Sequence, residues 1–154
     1  MEYVEIGSGM LAEAERLADE LPLLNNSIRS GEGAVYGFLG ELIFVAVKGG
    51  VLEHTYDWDV RVNGVTVDVK TKCVTSEPRP HYDCSVAAFN TSQGCDYYGF
   101  VRVLKDMSGG WYLGAMGRDA FYSRATFWEA GQVDDRNGWV VNADCWSVPI
   151  TELF

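Results

Sequence analysis

The stretch that decides the fold is residues 57–72, which reads DWDVRVNGVTVDVKTK. Apolar and polar residues alternate on both sides of Asn63-Gly64, a pattern typical of a β-hairpin with a two-residue turn. Such a turn needs a positive φ at both central residues, and asparagine and glycine adopt it most readily. The pattern therefore predicts two antiparallel strands, residues 51–62 and 65–73, joined at this turn.

The predicted register sets acidic residues against each other. Pairing that continues outward from the turn places Asp59 opposite Asp68 and Asp57 opposite Lys70, and alternation puts all four on one face. Like charges directly opposite destabilise a sheet. A divalent cation such as Mg²⁺, which takes carboxylate and phosphate oxygens as ligands, removes that repulsion. The hairpin thus predicts a cation site, with Lys70 placed to orient water or to offset negative charge on a phosphate.

The preceding segment supplies a further carboxylate. Residues 33–48 are strongly apolar and predict a buried helix that ends at Gly49-Gly50. Glu41 lies in the middle of this helix, where a charged group is costly unless something pairs with it. We therefore predict Glu41 as the fourth member of the site.

These segments together resemble a known superfamily. The helix at Gly40-Glu41, the sequence DWDV at 57–60 and the strand VDVKTK at 67–72 look like the core of the PD-(D/E)XK, or restriction-endonuclease-like, nucleases. A later region, made up of residues 88–93, 97–103 and 111–114, is similar to small nuclease-like proteins often found in phage genomes.

The resemblance implies an α/β (α+β) fold with a mixed central sheet flanked by helices and an αβββαβ core. It implies a Mg²⁺-dependent deoxyribonuclease, with Mn²⁺ able to substitute, acting as an endonuclease on DNA. Glu41, Asp59 and Asp68 are the implied metal ligands, and Lys70 assists as the fourth catalytic residue. The family's proline is absent before both Asp57 and Asp59, so the choice between them stays open, with Asp59 preferred on register. Because cutting two strands takes two sites, a homodimer is a further expectation.

The length of 154 residues predicts one domain in three parts. Residues 1–30 form an appended acidic helix with Ser8 as its cap and Pro22 as its end, followed by a loop at 25–27. Residues 33–103 hold the catalytic core, and residues 104–154 add a hairpin, a helix and short strands. After the Asn-Gly hairpin, the pattern predicts a short segment at 85–93, strands at 97–104 and 111–116 around a turn at 108–110, a helix at 118–129, and strands at 139–141 and 146–150.

Composition limits the function. The chain has 22 acidic and 12 basic residues, a net charge of −10, which excludes a protein that coats nucleic acid through a broad basic surface. Half of this excess lies in the first 32 residues, and much of the rest in the predicted site, so a DNA enzyme is not excluded. With no membrane-length apolar run and no signal pattern, we expect a soluble, cytoplasmic protein, in the host cytoplasm if phage-encoded. The four cysteines lack metal or disulfide spacing and predict buried thiols.

Other functions fit parts of the sequence. One alternative is a catalytically inactive nuclease-fold module that binds DNA or a protein; another is an acidic DNA mimic, which leaves the opposed aspartates unexplained. Among weaker signals, Lys72 is either a phosphate contact or solvated, and Asn90 and Gln93 either reach DNA, position the site or cap turns. His54 is either a second base or structural.

Overall fold

The computed structural model describes residues 1–21, 32–135 and 138–154, and the loop predicted at 25–27 lies outside them. The elements of these ranges are β1 (Glu2–Glu5), α1 (Ser8–Glu20), α2 (Glu32–Lys48), β2 (Val51–Leu52), β3 (Val60–Val62), β4 (Val65–Val74), β5 (Asp83–Ala87), β6 (Tyr97–Leu104), β7 (Gly109–Gly117), α3 (Arg118–Arg124), β8 (Thr126–Trp128), β9 (Val133–Asp134), β10 (Trp139–Val140) and β11 (Cys145–Pro149). Single turns of 3₁₀-helix lie at Ala88–Asn90 and Ile150–Glu152.

A six-stranded mixed sheet forms the centre, in the order β1-β7-β6-β4-β3-β2. Strands β4 and β6 run parallel, and the other neighbours are antiparallel. Alternation along β4 and β6 sorts the side chains onto two faces. One face packs valines of both strands against α1 and α2, and the other packs Tyr98 and Phe100 against α3 and the three-stranded sheet β5-β11-β8. The predicted mixed α+β class is therefore confirmed.

The register of the predicted hairpin is also confirmed near the turn. Val62 pairs with Val65 and Val60 with Val67, and φ is 49° at Asn63 and 82° at Gly64. The single long strand predicted at 51–62 is wrong, because residues 53–59 leave the sheet. There the Thr55 hydroxyl and the backbone close a turn onto Trp58, so β2 and β3 form a hairpin of their own.

Several other boundaries differ from the predictions. Gly7, without a side-chain hydrogen bond, caps α1 in place of Ser8, and the helix predicted at 118–129 ends at Arg124 because Ala125 is extended and leads into β8. The unpredicted edge strand β1 pairs with β7. Gly109 and Gly110 lie in β7 rather than in a turn. Position 109 accommodates only a glycine, because a side chain there would overlap the Tyr3 ring.

The connection from β4 to β6 bears on the implied αβββαβ core. A parallel connection crosses over the sheet, usually through an α-helix. Here it contains β5 and the 3₁₀ turn Ala88–Asn90 instead of an α-helix. The restriction-endonuclease-like architecture therefore remains a prediction.

Two expectations from composition concern the cysteines and membrane helices. All four cysteines are free, and Cys84, Cys95 and Cys145 are buried, as expected of thiols that act as small apolar residues. In the described ranges, no helix combines the length and apolar character needed to cross a bilayer.

Candidate active site

The site begins where β3 stops pairing with β4. The regular ladder ends at Val60 and Val67, and the Asp59 N–H also donates to the Val67 carbonyl, at 2.9 Å. Two consecutive residues thus face one, which is a β-bulge. The predicted ladder pair between Asp59 and Asp68 is therefore wrong. Instead, the Asp59 side chain turns onto β4, and its Oδ2 accepts the Val69 N–H at 2.8 Å.

The structure separates the two candidate aspartates. Asp57, predicted opposite Lys70, accepts a hydrogen bond from the Gly94 N–H at 2.9 Å and lies outside the strand pairing. Asp59 lies beside both Asp68 and Glu41, close enough for their charges to act on one another. Of the two, Asp59 joins the other predicted carboxylates, and Asp57 fastens the loop around Gly94.

Glu41 reaches the same point from α2. The helix lies close to β4 because Gly40 has no side chain; a β-carbon there would overlap Thr71 Oγ1. Glu41 is only 8% exposed, and its Oε2 lies 3.3 Å from His54 Nδ1. Three elements thus bring three carboxyl groups together.

The carboxyl groups are electrostatically strained without a counterion. Burial raises the pKa of Glu41 well above its usual value, and the neighbouring Asp59 charge raises it further. Burial and the Asp68 charge likewise raise the pKa of Asp59, against the opposing effect of the Val69 N–H and Lys70. Two interacting carboxyl groups of this kind titrate as a coupled pair. Full ionisation of both Glu41 and Asp59 is therefore disfavoured in the folded protein.

Lys70 supplies the nearest positive charge. Its Nζ lies 2.6 Å from Asp68 Oδ2, as expected from their alternation on one face of β4. It also donates to Gln93 Oε1 at 3.1 Å, and Gln93 Nε2 lies 3.2 Å from Asp68 Oδ1. Gln93 is fully buried and links the acid and the base into a closed triangle. Of the three roles that the sequence allowed for Gln93, these contacts favour positioning of the site, and its backbone N–H also closes a turn onto Asn90.

Two tyrosines lie next to this triangle and were not predicted as part of the site. Tyr98 is the direct β6 partner of Asp68, and Lys70 Nζ lies 5.8 Å from its ring centre. The Tyr98 and Tyr122 hydroxyls are hydrogen-bonded at 2.9 Å. Tyr98 falls in the predicted strand 97–104 and Tyr122 in the predicted helix 118–129, and nothing in their spacing pointed to Lys70.

The oxygen donors match a hard divalent cation. Glu41 Oε2 and Asp68 Oδ2 are buried without a hydrogen-bond partner, although Asp68 Oδ2 forms the ion pair with Lys70. Among residues 1–21, 32–135 and 138–154, no three His, Cys, Asp or Glu side chains already converge as a metal-ligand group. Mg²⁺ and Mn²⁺ favour carboxylate oxygens and retain several waters, so Glu41, Asp59 and Asp68 would hold such an ion.

Two weaker candidates border the site, His54 beside Glu41 and Asn90 in the loop before Gln93. His54 packs edge-on against Phe38, and its Nε2 is buried without a hydrogen-bond partner. Asn90 is buried at the 3₁₀ turn, and its carbonyl accepts the Gln93 N–H at 3.1 Å. Asn90 therefore belongs to the loop that positions Gln93.

In comparisons with known proteins, no family matches this chain, and no curated protein matches its sequence.

Proposed function

We propose that this protein hydrolyses phosphodiester bonds of DNA with Mg²⁺, for which Mn²⁺ substitutes. The observation that supports this is the buried cluster of Glu41, Asp59 and Asp68, whose charges oppose one another, beside Lys70. A fold alone gains nothing from such repulsion, whereas a divalent cation neutralises it.

The residues divide the chemistry among them. When bound, a divalent ion lowers the pKa of its water and neutralises charge on a phosphate. Asp59, directly before β3, and Asp68 on β4 would supply oxygen ligands, and Glu41 would add a third from α2. Lys70, held by Asp68 and Gln93, presents its ammonium to the attacking water or to a phosphate oxygen.

The direct test is cleavage of plasmid and oligonucleotide DNA with Mg²⁺, compared with EDTA. We expect Asp68→Asn and Lys70→Ala to lose cleavage, because each removes one member of the acid–base pair. The matched controls are Asp119→Asn, whose side chain is fully exposed, and Lys105→Ala, on an exposed turn. Cleavage that persists in both site variants would overturn the residue assignment.

The second candidate function is an inactive nuclease-fold module that binds DNA or a protein. The ion pair between Lys70 and Asp68 favours it, as do the raised pKa values of Glu41 and Asp59, since both reduce the charge of these groups without a metal. This function predicts DNA retention without hydrolysis and equal retention by wild type and Asp68→Asn.

The remaining proposals concern assembly and location. DNA is the proposed partner, a homodimer the proposed assembly for cutting both strands, and the cytoplasm the proposed location. Light scattering with and without duplex DNA measures the assembly directly.

A further inference from the structure

A pocket of about 210 Å³ shares Lys70 with the surroundings of the carboxylate cluster. It lies between residues 70–72 of β4, the middle of β6, and residues of β5 and β10. Its lining includes Lys70, Lys72, Asp83, Phe100, Arg102 and Trp139. A single buried water needs roughly 10–15 Å³ of such space, so this pocket accommodates a much larger group.

Two cations face each other in this pocket. Lys72 on β4 is the direct strand partner of Arg102 on β6. Like charges at directly opposite positions destabilise a sheet. None of the salt bridges among the described residues includes either cation. Asp83 also lines the pocket, and its charge compensates both of them in part.

Arg102 is fixed in place rather than free to move into solvent. It is 5% exposed, its Nη2 donates to the Asp83 carbonyl at 2.8 Å, and its guanidinium lies 5.4 Å from the Tyr82 ring centre. Lys72 keeps access to solvent, yet partial burial and the Arg102 charge both lower its pKa. The pair therefore forms a preorganised positive site, and a bound anion would reduce the repulsion between the two cations.

Trp139 supplies a flat aromatic wall. The Lys72 ammonium lies 5.3 Å from the Trp139 ring centre. Base stacking on an aromatic ring, beside cations that contact the phosphate, is the usual arrangement for single-stranded nucleic acid. A bound phosphate would draw the Lys72 ammonium from the ring and leave that face for a base.

We propose that this pocket binds one unpaired nucleotide of a DNA strand, with its phosphate on Lys72 and Arg102 and its base against Trp139. The inference depends on the proposed function, because Lys70 lines both the pocket and the carboxylate cluster and so places this nucleotide next to the scissile phosphate. It assigns the substrate class: DNA that is single-stranded at this position.

The test measures binding without catalysis. Fluorescence anisotropy of a labelled decathymidylate, in EDTA over a salt series, gives the affinity and its salt dependence for each variant. We expect Lys72→Ala to weaken binding and to reduce the slope of log K against log salt by about 0.7, the value of one single-strand phosphate contact. Lys105→Ala makes the same change of charge on an exposed turn and should leave the slope unchanged.

The base contact has its own variants. Trp139→Ala should weaken binding roughly 5- to 150-fold, the range found for loss of one stacked base, whereas Trp139→Phe should retain most of the affinity. Neither Trp139 variant should change the affinity for a duplex of the same length. The proposal is overturned if Lys72→Ala matches Lys105→Ala, if Trp139→Ala binds like wild type, or if the duplex shows the same losses.

The two proposals fail separately in these measurements. If the pocket variants lose decathymidylate binding but the wild-type protein does not cleave DNA, the binding site is retained and the nuclease is rejected. Cleavage that requires Asp68 but is unaffected by Lys72→Ala and Trp139→Ala would retain the nuclease and reject the pocket.

Discussion

The Val69 backbone N–H donates to the carboxylate of Asp59, with 2.8 Å between the nitrogen and Oδ2. At this point a side-chain oxygen, rather than the backbone carbonyl of a neighbouring strand, accepts the N–H of β4. Asp59 lies at the bulge where the β3–β4 ladder ends, and Glu41 from α2 lies close enough to interact with its charge. The end of the hairpin ladder and the carboxylate cluster therefore coincide at Asp59.

The first prediction separates the two roles of Asp59. In EDTA, Asp59→Asn should raise the free energy of unfolding by about 1 kcal/mol, since it removes repulsion while the amide oxygen still accepts the Val69 N–H. Asp59→Ala should be roughly 1–3 kcal/mol less stable than Asp59→Asn, because that buried N–H loses its partner. Urea denaturation measures both, with Asp57→Asn as the matched control. Equal changes in the free energy of unfolding for Asp59→Asn and Asp59→Ala would contradict this account of the site.

The second prediction is a pH dependence of stability in EDTA. Because the pKa of Glu41 is raised in the folded state, the protein retains a proton that the unfolded chain releases at about pH 4.3. The stability from this proton is complete below that pH and is lost as the pH rises toward the folded-state pKa. Relative to Glu41→Gln, wild type should lose up to about 1.4 kcal/mol for each pH unit between the unfolded-chain pKa and the raised pKa of the folded state. Parallel curves for the two proteins, from urea denaturation at each pH, would refute the raised pKa.

The third prediction concerns the close approach of α2 to β4. Gly40→Ala should cost about 1–3 kcal/mol, because its β-carbon would overlap Thr71 Oγ1. Gly37→Ala, on the same helix with open space at the β-carbon, should instead gain about 1 kcal/mol of helix propensity. Thermal unfolding of both variants measures the difference. Similar effects at the two positions would mean that the helix does not need its glycine at this contact.

The fourth prediction tests Gln93 as a positioning residue. Gln93→Met keeps a similar volume but removes the amide that joins Lys70 and Asp68. We expect kcat for DNA cleavage to fall by roughly 10- to 100-fold with little change in KM, as for a displaced catalytic group. Gln132→Leu, at an exposed glutamine, is the control. A wild-type kcat in a folded Gln93→Met protein would remove Gln93 from the site.

The sequence predicts the parts of this fold that depend on local chemistry. Asn63-Gly64 determines the turn and the first three pairs of the hairpin, and the apolar run at 33–48 determines α2. Alternation along β4 correctly places Asp68 and Lys70 on one face. These features follow from turn geometry and periodicity, which act over a few residues.

The remaining features depend on contacts between distant segments. The bulge at Asp59 and the attachment of Asp57 to Gly94 arise where residues 53–59 leave the sheet, and no local pattern predicts that departure. Gln93 reaches the site through a loop whose position depends on the fold around it. The strand partner of Lys72 is Arg102, 30 residues further along the chain, so their pairing emerges only from the parallel register of β4 and β6.

The central claim is that Glu41, Asp59 and Asp68 form a cation site. Calorimetric titration of Mn²⁺ into the wild-type protein, Asp68→Asn and the surface control Asp119→Asn tests it most directly. The account predicts saturable binding by wild type and Asp119→Asn, and an affinity at least about tenfold weaker in Asp68→Asn, which corresponds to about 1.4 kcal/mol. Absence of binding by wild type, or equal binding by all three proteins, would contradict it.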